Sequence, residues 1–261
     1  MRSRCASVAP GGYGGGSCGR FSLRIWLTAL LLLQALVLAD AFAEEAAPPS
    51  YAGVRASSDG IGKVYMGREI ARVMTFHGAQ WLERPERMEE ERPDRVLATL
   101  DLKPGMRVAD VGAGSGYYSW RIAERVGAGG TVYAVDIQPE MVRLLQQQMT
   151  QRGAANVKAI LGTHTDPRLP EATLDLALMV DVYHELEYPY EMLDSITRAL
   201  KSGGRLVFVE FKGNDPTVPI KPLHTMTEAQ VRREAAAVHA LEWQKTVGDL
   251  PWQHVIVFRK R

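Results

Sequence analysis

The chain has 261 residues, of which 46% are hydrophobic and 23% are charged, and its formal net charge is +1. This length and composition support one substantial hydrophobic core and exclude an intrinsically disordered chain. The near-neutral charge offers no basic surface of the kind that nucleic-acid-binding proteins use, so we expect no nucleic-acid partner.

The first 43 residues have the parts of a secretory signal peptide. Arg20 and Arg24 precede an apolar run over 25–39, and an A-x-A cleavage site follows at 41–43. We therefore expect residues 1–43 to be a signal peptide and the protein to be exported, to the periplasm. The alternatives are an uncleaved helix that tethers the domain to a membrane, and a cytoplasmic protein whose true start lies downstream.

Cysteines occur only at Cys5 and Cys18, within this N-terminal segment. The remainder of the chain therefore has no disulfide, no thiolate metal site and no cysteine nucleophile. We assign no metal ligand from the sequence.

Residues 44–62 are rich in Ala, Pro, Ser and Gly without periodicity, which predicts a flexible linker. Residues 63–100 are predicted to form a helical lid in front of the main domain. Its second helix is opened by Pro93 and Asp94. Its first helix is predicted from apolar residues at helical spacing, namely Met66, Ile70, Val73, Met74 and Trp81.

From residue 101 to the end, predicted strands and helices alternate. This alternation predicts a Rossmann-like, doubly wound α/β fold with a mostly parallel sheet, whose ligands bind beyond the carboxyl ends of the strands. Near the C-terminus, Thr227 and Gln230 predict a capped helix to about residue 239. Two last strands, near 240–248 and 254–260, are expected to form an antiparallel pair.

The stretch VADVGAGSGYYSW, residues 108–120, predicts a buried strand, a glycine turn and the start of a helix. Gly112, Gly114 and Gly116 follow Asp110 in a GxGxG arrangement. Glycines there allow positive φ and close approach of a ligand, and the free N–H groups of a helix start attract negative charge. The same triplet also occurs where a strand merely packs tightly on a helix.

A second feature supports a ligand site, because Asp136 closes the next strand, 20 residues after Gly116. A carboxylate in that place can accept hydrogen bonds from both hydroxyls of a ribose. Nicotinamide dinucleotides usually require GxGxxG, but Tyr117 stands where the last glycine would be. S-adenosylmethionine lacks a phosphate and is compatible with the acidic Asp110 beside the turn.

Four motifs together resemble those of class I S-adenosylmethionine-dependent methyltransferases, and the resemblance covers roughly residues 65–261. They are VADVGAGSG, VYAVDIQPEM, LDLALMVDVYHEL and ALKSGGRLVFVEF, in the order and at the spacing usual for that family. The chain is most similar to small bacterial methyltransferase-domain proteins of undefined substrate that carry WLER before the domain and DVYHE within it. The resemblance implies a seven-stranded sheet and S-adenosyl-L-methionine as the cofactor.

The resemblance also implies a set of cofactor contacts. The three glycines and Ala113 would flank the methionine part. Asp110 would hold the loop and influence the ammonium, Asp136 would bind the ribose and Ile137 would press on adenine. Thr163 stands near the place where the family often has an acidic residue that contacts adenine. Asp181, after the fourth strand of the sheet, is assigned to the same site.

The loop after that strand holds the candidate catalytic residues. His184 is a candidate general base, oriented by Glu185 or Asp181, and Tyr183 is a candidate wall of the methyl pocket. Glu210 is a second, weaker candidate, and His224 is read as a solvated loop residue. Arg84 and Arg87 would either meet an anionic ligand or lie on a charged helix end.

We conclude from the sequence that the chain transfers a methyl group from S-adenosylmethionine to a small-molecule acceptor. A non-catalytic exported binding protein for adenosyl ligands is the alternative from another class. A nicotinamide-dependent oxidoreductase is a further, weaker alternative.

Overall fold

The computed structural model describes residues 49–261, so the predicted signal peptide, residues 1–43, lies outside the described residues. In the part of the chain that is described, no helix combines the length and the apolar character needed to cross a bilayer.

A seven-stranded sheet forms the centre of the fold. Its strands are β4 (Arg107–Val111), β5 (Thr131–Asp136), β6 (Val157–Leu161), β7 (Leu174–Val180), β8 (Leu200–Phe211), β9 (Leu241–Val247) and β10 (Gln253–Lys260). They lie in the order β6-β5-β4-β7-β8-β10-β9. The pairs from β6 to β8 are parallel, whereas β10 runs antiparallel to both β8 and β9. The predicted fold class, with its closing antiparallel pair, is confirmed.

Helices cover the sheet and precede it. They are α1 (Arg87–Glu90), α2 (Pro93–Thr99), α3 (Tyr117–Val126), α4 (Pro139–Gln151), α5 (Pro189–Ala199) and α6 (Glu228–Ala235). Three 3-10 helices span Phe76–Glu83, Tyr183–Glu185 and Pro222–His224. The predicted cap of α6 is present, since the backbone N–H of Gln230 donates to Oγ1 of Thr227.

Both faces of the sheet are buried, as expected for a parallel sheet covered on two sides. In β7, Ala177 and Met179 pack into the apolar cluster on one face, and Leu176 and Leu178 pack into the cluster on the other. Side chains alternate between faces along a strand, so one uninterrupted apolar run serves both clusters.

Within the described residues, the prediction of a linker up to residue 62 and of a first helix after residue 63 is wrong. The structure has a separate three-stranded antiparallel sheet there, made of β1 (Tyr51–Gly53), β2 (Gly60–Tyr65) and β3 (Arg68–Ala71). Met66 and Gly67 form a two-residue hairpin loop with φ of 46° and 93°, which a helix cannot contain. Of the apolar residues at helical spacing, Ile70 lies in β3 and Trp81 in the 3-10 helix after it, whereas Val73 and Met74 lie between these elements. Further along the predicted lid, 76–83, 87–90 and 93–99 are helical as expected.

A buried ion pair connects this small sheet to the main domain. Arg68 of β3 donates two hydrogen bonds to Glu234 of α6, at 2.7 and 3.0 Å, and a third to the carbonyl of His184. The hydroxyl of Tyr183 also donates to Glu234, at 2.7 Å. Because the Glu234 side chain has no solvent exposure, its charge depends on these partners.

We therefore predict that Glu234→Gln lowers the free energy of unfolding by about 3 kcal/mol or more, since the Arg68 charge loses its buried partner. Glu228→Gln, on the same helix, is the matched control. Its ion pair with Arg232 is largely exposed, so that change should stay within about 0.5 kcal/mol. Urea denaturation of the two variants measures both values, and equal destabilisation would contradict the proposed role of the buried pair.

Candidate functional site

A cleft of about 580 Å³ opens at the carboxyl ends of the parallel strands, where ligands of such sheets bind. One side is formed by the glycine turn after β4 and by the end of β5. The other side is formed by the loop after β7 and by the Pro222–His224 helix. Several residues between 59 and 87, which precede the seven-stranded sheet in the chain, also line the cleft.

Two of the three predicted glycines face this cleft. Gly112 and Gly114 line it, with φ of 75° and 55°. A Cβ atom on Gly112 would lie 2.4 Å from Val182, and one on Gly114 would lie 2.6 Å from Leu82. The positive φ favours glycine at both positions, and at Gly112 the Cβ atom of Val182, 2.8 Å away, also excludes a side chain.

Gly116 and Ala113 are not among the residues that line the cleft, contrary to prediction. Gly116 begins α3, and a Cβ atom there would lie 2.5 Å from Leu145. Ala113 belongs to an apolar cluster with Leu145 and Met149. These two residues pack the turn against α4. Tight packing of this kind is the alternative explanation of the glycine triplet that the sequence left open.

Asp136 lies where the sequence predicts, at the end of β5 and on the wall of the cleft. The N–H of Gly114 donates to its Oδ2 at 3.1 Å, and the N–H of Gln138 donates to its Oδ1 at 2.9 Å. These bonds orient the carboxylate beside the glycine turn. Burial raises its pKa, partly offset by the backbone donors. Ile137 and Gln138 continue the same wall.

Asp110 lies beneath the turn and is buried, outside the lining of the cleft. Its Oδ2 accepts a hydrogen bond of 2.6 Å from the hydroxyl of Ser119. Burial raises the pKa of Asp110 to about 6, although that hydrogen bond and the charge of Arg87 work in the opposite direction. Because Asp110 precedes the glycine turn and Ser119 follows it, this bond joins the two ends of the loop, in agreement with the expected holding role. Its influence on the ammonium stays a prediction.

Asp181 lines the cleft at the end of β7, with an unusual φ of 52°. Its Oδ2 accepts a hydrogen bond of 2.6 Å from Gln253, whereas its Oδ1 is buried without a partner. Burial raises the pKa of Asp181 well above its usual range, and the charges of Glu91 and Glu210 raise it further. An unpartnered buried oxygen facing a cleft is typical of a ligand contact.

Two other predicted residues are placed elsewhere. The hydroxyl of Thr163 accepts from the N–H of Asp166, at 2.9 Å, within a local turn. It is His164, the next residue, that lines the cleft. Tyr183 is fully buried in the core against Phe208, so it does not form the wall of a methyl pocket as predicted.

His184 lines the cleft and is held by Glu210, which sequence reasoning ranked as a separate candidate. The ring Nδ1 of His184 lies 2.6 Å from Glu210 Oε2, and the N–H of Tyr183 donates to the other oxygen of Glu210 at 2.9 Å. This corrects the expectation that Glu185 or Asp181 orients the ring. Burial by itself would lower the pKa of His184, but the charge and hydrogen bond of Glu210 outweigh it and the pKa is raised.

His224, read from the sequence as a solvated loop residue, lies beside His184 in the cleft. Its Nδ1 lies 3.2 Å from His184 Nε2 and 3.3 Å from Glu185 Oε1. The 3-10 helix Pro222–His224 and the residues around it bring this loop over the end of the sheet. Nothing in the local sequence indicates that a residue 40 positions away in the chain is its neighbour.

The segment before the domain contributes residues that the sequence did not identify. Asp59 reaches the cleft from the loop between β1 and β2, and the N–H of Met74 donates to Glu185 at 3.1 Å. Of the two candidate arginines, Arg87 is buried on the cleft wall and pairs with Glu91. Arg84 pairs with Glu90 and Glu91 and stacks on Trp81.

Comparison with known proteins supports the interpretation of this cleft. A family model described as a methyltransferase domain matches residues 102–253, which is more than half of the chain. Nocamycin O-methyltransferase of Saccharothrix syringae is 40% identical over 82 residues, which are 31% of this chain and 29% of that protein. The ubiquinone/menaquinone biosynthesis C-methyltransferase UbiE of Laribacter hongkongensis is 28% identical over 131 residues, or 50% and 52% of the two chains.

A protein-L-isoaspartate O-methyltransferase of Pyrococcus horikoshii is 34% identical over 112 residues, which are 43% of this chain and 47% of that protein. The chain thus spans about half or less of the length of these curated relatives. Among solved structures, a SAM-dependent methyltransferase from Aquifex aeolicus has a TM-score of 0.68 and 26% identity, over 72% of this chain and all of that one.

The raised pKa of Asp110 predicts how stability depends on pH. A carboxyl group whose pKa is about 6 when folded and about 4 when unfolded binds its proton more tightly in the folded state. The contribution of Asp110 to the free energy of unfolding therefore falls as the pH rises from about 4 to about 6, and it stays low above that range.

Without any ligand, Asp110→Asn should match the parent near pH 4 and exceed its free energy of unfolding by up to about 3 kcal/mol near pH 7. Asp175→Asn is a control of opposite sign. Burial would raise the pKa of Asp175, but hydrogen bonds from Arg107 and Lys201 lower it overall. Urea denaturation across this pH range tests both variants. A difference in the free energy of unfolding between Asp110→Asn and the parent that does not change with pH would contradict the raised pKa of Asp110.

Proposed function

The chain belongs to the methyltransferase-domain family, and from that premise we propose that it transfers the methyl group of S-adenosylmethionine to a small-molecule acceptor. The observation that carries this proposal is the convergence of Gly112, Gly114 and Asp136 on one cleft. The family match favours this function over the oxidoreductase and over the non-catalytic binding protein. The acceptors named for the relatives differ, so they do not identify the acceptor of this chain.

The residues present fit the cofactor. The carboxylate of Asp136 is fixed by two backbone donors, and its remaining lone pairs can accept from ribose hydroxyls. Gly112 and Gly114 place backbone on the wall of the cleft, where a ligand can approach it, and the unpartnered Oδ1 of Asp181 can accept from an ammonium. Ile137 provides an apolar surface for the adenine.

When bound, S-adenosylmethionine supplies a methyl group that its positive sulfur has already activated. The task of the chain is to hold the acceptor in line with that methyl and to exclude water. In the sheet order β5-β4-β7-β8, Asp136 and the glycine turn lie on one half of the cleft. His184 follows β7, and Glu210 lies at the end of β8. Both therefore lie on the other half of the cleft, which we assign to the acceptor.

We predict that Asp136→Asn weakens binding of S-adenosylmethionine at least tenfold, because the loss of charge-assisted hydrogen bonds to the ribose is worth about 1.5–3 kcal/mol. Isothermal titration calorimetry on the full chain measures the change. Asp175→Asn is the matched control, since it alters an aspartate at the opposite end of the sheet and should leave the affinity within about twofold of the parent.

Unchanged affinity in Asp136→Asn, or no binding by the parent, would contradict the proposed site. Incubation with pooled small-molecule extracts then separates an enzyme from a binding protein. Formation of S-adenosylhomocysteine that depends on the extract supports methyl transfer, and binding without any such product supports the non-catalytic alternative.

We further propose that residues 1–43 direct export, on the basis of the arginines, the apolar run and the A-x-A site. Residues 1–48 fused to a reporter enzyme that is active only outside the cytoplasm should give activity. Leu32→Arg, which places a charge within the apolar run, should abolish it, whereas Leu32→Ile should not. An inactive parent fusion would favour a cytoplasmic domain.

A further inference from the structure

Three potential ligand atoms converge in the cleft without a positive charge between them. They are Nε2 of His184, Nδ1 of His224 and Oε1 of Glu185. The two ring nitrogens are 3.2 Å apart, the His224 nitrogen is 3.3 Å from the carboxylate oxygen, and the His184 nitrogen is 4.0 Å from it. Hereafter we refer to these three residues as the His–Glu–His cluster.

The outer nitrogen of each ring faces a carboxylate. Nδ1 of His184 lies 2.6 Å from Glu210, and Nε2 of His224 lies 3.0 Å from Asp59. A carboxylate in that position favours the tautomer that carries its proton on the outer nitrogen. The two inner nitrogens then present lone pairs toward each other and toward Glu185, an arrangement that is repulsive unless a metal ion or an additional ring proton lies between them.

We propose that the His–Glu–His cluster binds a divalent transition-metal ion such as Zn²⁺. Two imidazoles and one carboxylate with open positions are a ligand set of catalytic metal sites. At the usual Zn–N distance of about 2.0–2.1 Å, tetrahedral ligand atoms lie about 3.3 Å apart. Two of the three separations in the cluster, 3.2 and 3.3 Å, meet this value, and the third needs a small shift of the Glu185 carboxylate.

The surroundings resemble the outer shell of a metal site. Metal-binding histidines commonly donate their other N–H to a carboxylate, which fixes the ring and makes it a better ligand. Glu210 occupies that place for His184, and the Asp59 carboxylate lies 3.0 Å from His224 but needs a small rotation to accept its N–H. The N–H of Met74 donates to Oε1 of Glu185 at 3.1 Å and orients that carboxylate. Each of the five residues is held by contacts other than the metal, so the ligands are preorganised.

Charge also favours a dication at this position. Two carboxylates, Glu185 and Glu210, lie against the two imidazoles. Asp59 adds no net charge because Lys221 pairs with it, and Arg68, which contacts His184, pairs with Glu234. Burial strengthens the attraction, because the His184 side chain is only 2% exposed and that of Glu185 is 9% exposed.

The ion lies on the half of the cleft that we assign to the acceptor. Provided that the proposed function holds, it would bind an oxygen of the acceptor and lower the pKa of that group. The acceptor would then belong to the class of small molecules whose nucleophilic oxygen binds metals. His184 would act as a ligand and would not be the general base predicted from the sequence.

The test is a titration of the full chain, purified without a histidine tag and stripped by a chelator, with Co²⁺ alone. The parent should bind one Co²⁺ per chain and develop a visible d–d absorption band, which added Zn²⁺ removes. His224→Asn and Glu185→Gln should each weaken binding at least tenfold. Asp59→Asn, which changes only the partner of a ligand, should weaken it about tenfold.

His164→Asn is the matched control, because His164 also lines the cleft but lies outside the cluster. It should bind Co²⁺ like the parent. Absence of a band in the parent, or an identical band in His224→Asn, would overturn the proposal. Circular dichroism verifies that each variant is folded. Calorimetry of His224→Asn with S-adenosylmethionine keeps the two proposals distinct. Loss of the metal site should leave the affinity for S-adenosylmethionine unchanged, so each proposal can fail without the other.

Discussion

The arrangement of the cleft depends on one buried carboxylate, Glu210, at the end of β8. It has no solvent exposure, and a carboxylate in such surroundings requires hydrogen-bond donors in fixed places. The donors come from the loop after β7, namely the N–H of Tyr183 and the ring of His184. The parallel pairing of β7 with β8 brings the two ends together, so the sheet itself positions His184.

A second constraint comes from the segment before the domain, which lies outside the 102–253 match to the family. Its three-stranded sheet is tied to α6 by Arg68 and to the cleft by Asp59 and Met74. The segment reaches both walls of the cleft, because Leu82 lies beside Gly114 and the side chain of Gln138 donates to the carbonyl of Met74.

Several acidic groups in and under the cleft are buried, and their environments differ. Asp136 is satisfied by backbone donors, Asp110 by Ser119, and Asp181 keeps one oxygen without a partner. Burial raises the pKa of all three. The unpartnered oxygen of Asp181 weakens the ligand-free fold. A ligand that donates to this oxygen would stabilise the fold, which couples binding to stability.

The sequence by itself determined the sheet, its strand alternation and the places of Gly112, Gly114 and Asp136, because these depend on local periodicity and on residues at the ends of adjacent strands. It did not reveal the hairpin at Met66 and Gly67, since no Asn-Gly or Asp-Gly signal marks that turn. Only the tertiary structure decided that Glu210 rather than Glu185 holds His184 and that His224 and Asp59 join the site. These contacts link residues from 26 to more than 100 positions apart, and no short-range pattern encodes such pairings.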